Sequence, residues 1–216
     1  MHDTKQTINT KESDVMDYIK INGQKIKLTE KQVQEIRQSF GFSDKKLIDV
    51  PIGGTFKIGE DEFIVLNHLA EGTMVISKKL LCKSIKFGRD NNYDGSFVDD
   101  ACNEFADKIM DIVGEDNLFE CAVDLTSDDG LEDYGVIRRR MAPLTTTLYR
   151  EYVEILDMHK IEAWQWLATP CSTPKHGDSS CVKCVSPSGG LVNDFYNFGR
   201  GVRPFCVLNS SIFVSE

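Results

Sequence analysis

The sequence predicts an α+β protein: a small N-terminal hairpin–helix module, then a larger domain of twisted antiparallel sheets, two amphipathic helices and long loops. Three observations predict it. Apolar residues alternate on both sides of Asn22-Gly23. Three strand-like runs joined by short turns follow Gly53-Gly54. Two later stretches, starting at Ser96 and Thr146, repeat their apolar residues at helical spacing.

Residues 1–17 are polar and aperiodic and read as a flexible arm. The module spans 18–46 and the larger domain 47–216. Tyr18 to Leu28 reads as a hairpin, because Asn-Gly tolerates positive φ at both turn positions. Thr29-Glu30-Lys31-Gln32 reads as a capping box, with a helix to about Phe40 that turns Val33, Ile36 and Phe40 to one face and stops at Gly41. So small a module buries little apolar surface by itself. It is expected to pack on the larger domain, on a partner, or on a second copy, which makes a dimer through this module one of the open arrangements. In the larger domain, strands are expected at 55–58, 62–69 and 73–77. Ser96 caps a helix that runs to Val113 and stops at Gly114, with Val98, Ala101, Cys102, Phe105, Ile109 and Ile112 inward. A strand is expected near 136–141. A second helix is expected over Thr146–Lys160, with Leu148, Tyr152, Leu156 and His159 inward. From Trp164 onward, short strands alternate with glycine-rich loops.

Charge is unevenly spread. The 216-residue chain carries a net charge of −9, yet the segment 87–135 holds fifteen Asp and Glu against only Arg89 and Lys108. The rest of the chain is slightly basic. An acidic block repels phosphate backbones and suits basic protein surfaces, so direct nucleic-acid binding is not expected. No apolar run approaches the roughly 20 residues that cross a bilayer. The first residues lack the apolar core of a secretory signal, so a cytoplasmic location with no membrane partner is expected. Seven cysteines, an odd count in that setting, read as small buried hydrophobes, not as a disulfide framework.

From Pro51 onward the order of short motifs carries a resemblance. It runs through Met74-Val75-Ile76-Ser77-Lys78-Lys79-Leu80-Leu81, Asn92-Tyr93 with Ser96, Asn103 with Phe105, and Leu144-Thr145. It continues with Trp166-Leu167-Ala168-Thr169-Pro170, Val185-Ser186-Pro187-Ser188-Gly189 and Gly201-Val202-Arg203-Pro204-Phe205. This order resembles an uncharacterised domain family of gut bacteria and their phages, over about three quarters of the chain. The Trp-Leu-x-x-Pro and Gly-Val-Arg-Pro pair resembles the closing segment of the C-type-lectin fold, also found in relatives of formylglycine-generating enzymes and in phage variable proteins. The resemblance implies a C-type-lectin-like domain whose ligand surface precedes the closing strand. On this chain that surface is Asn193, Asp194, Phe195, Tyr196, Asn197, Phe198 and Arg200. It also implies a phage or prophage gene and a host-cytoplasmic protein.

The residues themselves support display. Aromatic and arginine side chains dominate binding hot spots, and asparagine adds adaptable hydrogen bonds. The alternative is that Phe195 and Phe198 close the core beneath the loop, although consecutive aromatic residues cannot all point inward from one strand. Arg203, with glycine two residues before it and proline directly after, reads as a lock on loop carbonyls or on an acidic partner. On the first long helix, Asp100, Glu104, Asp107 and Asp111 fall at helical spacing and form one acidic ridge. The ridge reads either as a solvated face or as a mimic of nucleic acid toward a basic channel.

Motifs for chemistry are weak. Asp90-Asn91-Asn92-Tyr93-Asp94-Gly95 begins like a calcium loop but has Ala101 where the bidentate glutamate belongs. Cys181-Val182-Lys183-Cys184 is a lone C-x-x-C; Cys171, His176 and Cys206 would have to complete a zinc site without standard spacing. No histidine lies in a motif with a nucleophile, and no phosphate-cradling loop follows Gly53-Gly54. The expectation is therefore a non-enzymatic binding protein with no cofactor, no metal and no catalytic residues. It would dock on a protein partner, in one version as an acidic, anti-CRISPR-like inhibitor of a basic nucleic-acid-binding enzyme or defence complex. The alternatives are an adhesin that binds glycan or receptor through 193–200, and a metal- or thiol-dependent enzyme.

Overall fold

The structure, a computed structural model, describes residues 18–21, 24–29, 31–33 and 45–215. The chain divides into two compact units, Met1–Asp44 and Lys45–Glu216. In the first, strands β1 (Tyr18–Ile21) and β2 (Gln24–Lys27) pair antiparallel, with Ile21 opposite Gln24. Thr29 and Gln32 form the reciprocal cap. The Thr29 hydroxyl accepts from the Gln32 amide at 3.3 Å, and Gln32 Oε1 accepts from the Thr29 amide at 3.0 Å. Residues 31–33 are helical. The expected arm over 1–17 and the helix continuation to Phe40 lie outside the described residues.

The second unit is mixed α+β, mostly sheet with few helices. Strands β3 (Thr55–Ile58), β4 (Asp61–His68) and β5 (Thr73–Ser77) form the meander that the three strand-like runs predict. They join β7 (Leu118–Phe119), β10 (Met141–Pro143) and β15 (Pro204–Leu208) in a six-stranded antiparallel sheet. The second sheet runs β13 (Leu191–Phe195), β12 (Cys181–Val185), β11 (Gln165–Pro170), β14 (Gly199–Val202), β6 (Cys82–Lys86). Within it, only β11 and β14 are parallel. Strands β8 (Cys121–Asp124) and β9 (Val136–Arg139) make a separate ribbon.

Helix α1 (Phe97–Val113) begins as the sequence predicts: the Ser96 hydroxyl accepts from the Asp99 amide at 3.1 Å, and Gly114 ends it with φ 90°. Its inner face holds Val98, Cys102, Phe105, Ala106 and Ile109, and Phe105 stacks on Phe63 of β4 with ring centroids 6.3 Å apart. Two expected positions differ. Ala101 is half-buried, and Ile112 is 50% exposed, its side chain lying beside Gly59 in the turn between β3 and β4.

The expected single helix over Thr146–Lys160 is two short ones, α2 (Thr146–Glu151) and α3 (Val153–Met158). Tyr152 between them leaves helical geometry, with φ −105° and ψ 17°. No proline or glycine causes this break. The Tyr152 ring turns into the core and its hydroxyl accepts from Asn67 Nδ2 at 3.4 Å. Of the expected inward residues, Tyr152 and Leu156 are buried, and Leu148 and His159 are half-buried. His159 is the C-cap, and its Nε2 lies 2.8 Å from the Gly53 carbonyl.

The two closing motifs act as framework. Trp166 is 1% exposed; its Nε1 donates to the Ile85 carbonyl at 2.9 Å, and its ring meets Phe87 edge-on at 5.5 Å. One tryptophan in β11 thereby reaches across β14 to β6. Arg203 is buried, and its donors reach the carbonyls of Ser77 and His159 at 2.8 and 3.2 Å.

Candidate functional site

The loop between β13 and β14 leaves the edge of the second sheet and returns beside β11. Gly199 and Gly201 permit that return by close approach. A Cβ on Gly199 would collide with the Ser84 side chain, and one on Gly201 would press on Leu80 and on the Trp164 carbonyl. The chain between these glycines and β13 is consequently held against β6, with Gly199 opposite Lys86 and Arg200 opposite Ile85.

What this loop displays is mostly aromatic. Phe195 is 51% and Phe198 47% exposed, and their rings meet edge-to-face at 5.9 Å. The alternative that they close the core does not hold; Tyr196 between them is half-buried and packs against the core instead. Arg200 lies over two rings, with its guanidinium carbon 4.9 Å from the Trp164 centroid and 5.5 Å from that of Phe198. Asp194 fixes the same guanidinium: Nε donates to Oδ2 at 2.6 Å and Nη2 lies 2.5 Å from it. A planar cation clamped by a carboxylate and two rings loses its rotamer freedom before any ligand arrives. Asn197 is exposed. Asn193 is exposed too, but its side-chain Oδ1 accepts from Lys183 Nζ at 2.8 Å, which also reaches Asp128 at 3.0 Å. Asn193 therefore anchors β13 more than it offers hydrogen bonds outward.

Sequence reasoning missed Trp164. It lies 29 residues before Asn193, and only the parallel pairing of β11 with β14 brings it under Arg200. No pattern signal marks it beyond its being an unshielded tryptophan.

The acidic ridge is exposed along its whole length: Asp100, Glu104, Asp107 and Asp111 all face solvent. None of the four forms an ion pair with a described residue. Ridge and loop meet at Phe87, whose amide donates to the Tyr196 carbonyl at 2.8 Å and whose carbonyl accepts from the Val98 amide at 3.2 Å. The first turn of α1 therefore starts beside the aromatic loop.

The residues with potential for chemistry are otherwise engaged. Asp90 and Asn92 cap the amides of Asn92 and Asp94. Asp94 and the buried Asp99 both hold Arg139, whose Nε and Nη2 reach the two Asp99 oxygens at 2.8 Å. The oxygens expected of a calcium loop are thus used internally. The folding brings together one trio that spacing did not suggest. Ser172 Oγ donates to Asp129 Oδ2 at 2.7 Å, and His176 Nδ1 lies 3.0 Å from the same oxygen. A hydrogen bond from Ser127 foremost, and then these two, hold the Asp129 carboxyl well below the usual carboxylate range. Serine and histidine compete for one carboxylate and form no bond with each other, so the hydroxyl is not delivered to a base. Cys181 and Cys184 sit three apart on β12 and point to opposite faces. Burial pushes the Cys184 and Cys171 thiols up to about 12. Among the described residues, no group of three His, Cys, Asp or Glu is placed to hold a metal ion. No helix among them is long and apolar enough to cross a membrane.

Compared with known proteins, the chain matches no family model, and no curated protein or solved structure is significantly similar to it.

Proposed function

We propose that this chain is a non-enzymatic binding protein of phage or prophage origin that acts in the host cytoplasm. Its second unit would be a C-type-lectin-like framework, and it would dock on a protein partner through the 193–200 loop. The observation that carries this reading is the exposed trio Trp164, Phe195 and Phe198 around a pre-oriented Arg200. Aromatic and arginine side chains, held rigid before contact, are what a protein hot spot requires. The lectin-like assignment is supported by the burial of Trp166 and Arg203 at the junction of the two sheets. It is supported too by the bridge between Lys46 and Phe213, which brings the start and end of the unit together.

A second reading has its own observation. The four unpaired carboxylates on α1 repeat every turn or so, on the order of 5–6 Å along the axis. That spacing suits the basic channel of a nucleic-acid-binding enzyme, which the chain would inhibit.

One experiment separates them. Immobilised full-length chain is exposed to lysate of the host, and retained protein is compared for the wild type, Phe195→Ala with Phe198→Ala, and Glu104→Lys with Asp107→Lys. The loop reading expects one retained protein, lost at least about thirtyfold in the phenylalanine variant. The ridge reading expects the loss in the lysine variant, with steep salt dependence. Retention of glycan and no protein would overturn both and favour an adhesin.

A further inference from the structure

Arg203 is 5% exposed, and its two hydrogen bonds reach neutral carbonyls. No described carboxylate forms an ion pair with it, and its Nη1 donates to no described residue. That nitrogen is also not sealed away: among the described residues the Tyr93 hydroxyl alone is wholly buried without a partner. Arg203 lines a cavity between α2–α3, β11 and the turn after β12, with about 420 Å³ of empty space including its open mouth. The cavity is narrow, with free room for little more than one water-sized group.

The walls are mostly apolar, with Ile76, Leu144, Leu156 and Leu167 around the polar groups of Gln165 and Ser186. An unneutralised cation among such walls attracts an anion far more strongly than the same cation in water. Burial pulls the guanidinium down to about 10, so it stays charged at neutral pH. At the mouth stand Lys160, which forms no ion pair with a described residue, and Asp157. Lysine draws an anion in. The Asp157 carboxylate repels a multiply charged one, and the narrow inner space excludes a bulky one.

We propose that the Arg203 cavity binds a small singly charged anion, a halide or a carboxylate. A carboxylate has two sources, a free small ion or the end of a polypeptide.

Chlorine-35 line broadening tests this on the full wild-type chain. Chloride is expected to broaden in proportion to protein and to be displaced by formate, but not by sulfate at matched ionic strength. Lys160→Glu, at an exposed position that leaves the fold intact, is expected to weaken chloride binding roughly tenfold. Arg203→Met should abolish it; if that variant does not fold, the Lys160 variant still decides. Triglycine and its C-terminal amide separate the sources. Displacement by formate and by the free acid but not the amide assigns a polypeptide end, and displacement by formate alone assigns a free ion. Broadening that formate does not displace, or that Lys160→Glu leaves unchanged, overturns the proposal.

Discussion

Asp99 is 2% exposed, and both its oxygens are engaged by Arg139, each at 2.8 Å. Such a bidentate pair holds α1 to β9, and removing one partner would strand a buried charge. The same commitment of polar groups runs through the cysteines. Burial pushes the Cys102 and Cys184 thiols up to about 12 and the Cys206 thiol well above its usual range. The thiolate is the reactive form, and at pH 8 burial keeps all three thiols protonated in the native protein. Iodoacetamide at pH 8 should therefore leave these three cysteines unlabelled in the native protein and label them after denaturation, as peptide mass spectrometry would show. Rapid native labelling of Cys184 would mean that the second sheet opens readily.

Helix α1 joins stability and display in one element. Its inner stripe buries Val98, Cys102, Phe105 and Ile109, and each fully buried large side chain contributes about 1.5–3 kcal/mol. Its outer stripe carries four like charges, which cost a few tenths of a kcal/mol per neighbouring pair. Asp99 in the first turn and the Ser96 cap offset part of that cost. Ser96→Ala removes the bond to the Asp99 amide and should lower unfolding stability by about 1 kcal/mol, while Ser96→Asp should retain most of it. Urea denaturation measures both. An unchanged midpoint in the alanine variant would show that the cap is supplied elsewhere.

Across the whole second unit, the core is continuous from the Phe56–Phe63–Phe105 stack to the Phe87–Trp166 pair. Trp166 ties the sheet together by bonding the Ile85 carbonyl two strands away. Trp166→Phe would keep most of the ring packing but leave that carbonyl without its donor. The expected loss is about 1–3 kcal/mol of stability. Because β6 also positions Gly199, the variant should loosen the aromatic loop. A drop in partner retention larger than the stability loss explains, measured beside the Phe195 and Phe198 variants, would confirm that link.

Local pattern determined the elements whose causes are local. The strand-like runs and short turns of β3–β5, the Ser96 cap with the Gly114 stop, and the reciprocal Thr29–Gln32 box are all written in neighbouring residues. The exposure of the acidic ridge follows from the 3.6-residue period alone. Tertiary structure decided what depends on distant partners. It split the second helix at Tyr152, whose buried ring meets Asn67 from a distant part of the chain. It turned Phe195 and Phe198 outward while Tyr196 packs inward. It brought Trp164 under Arg200 through a parallel strand pairing that no residue spacing encodes. It also left Arg203 charged and without a described counter-ion, since the neighbours of a buried side chain come from segments far apart in the chain.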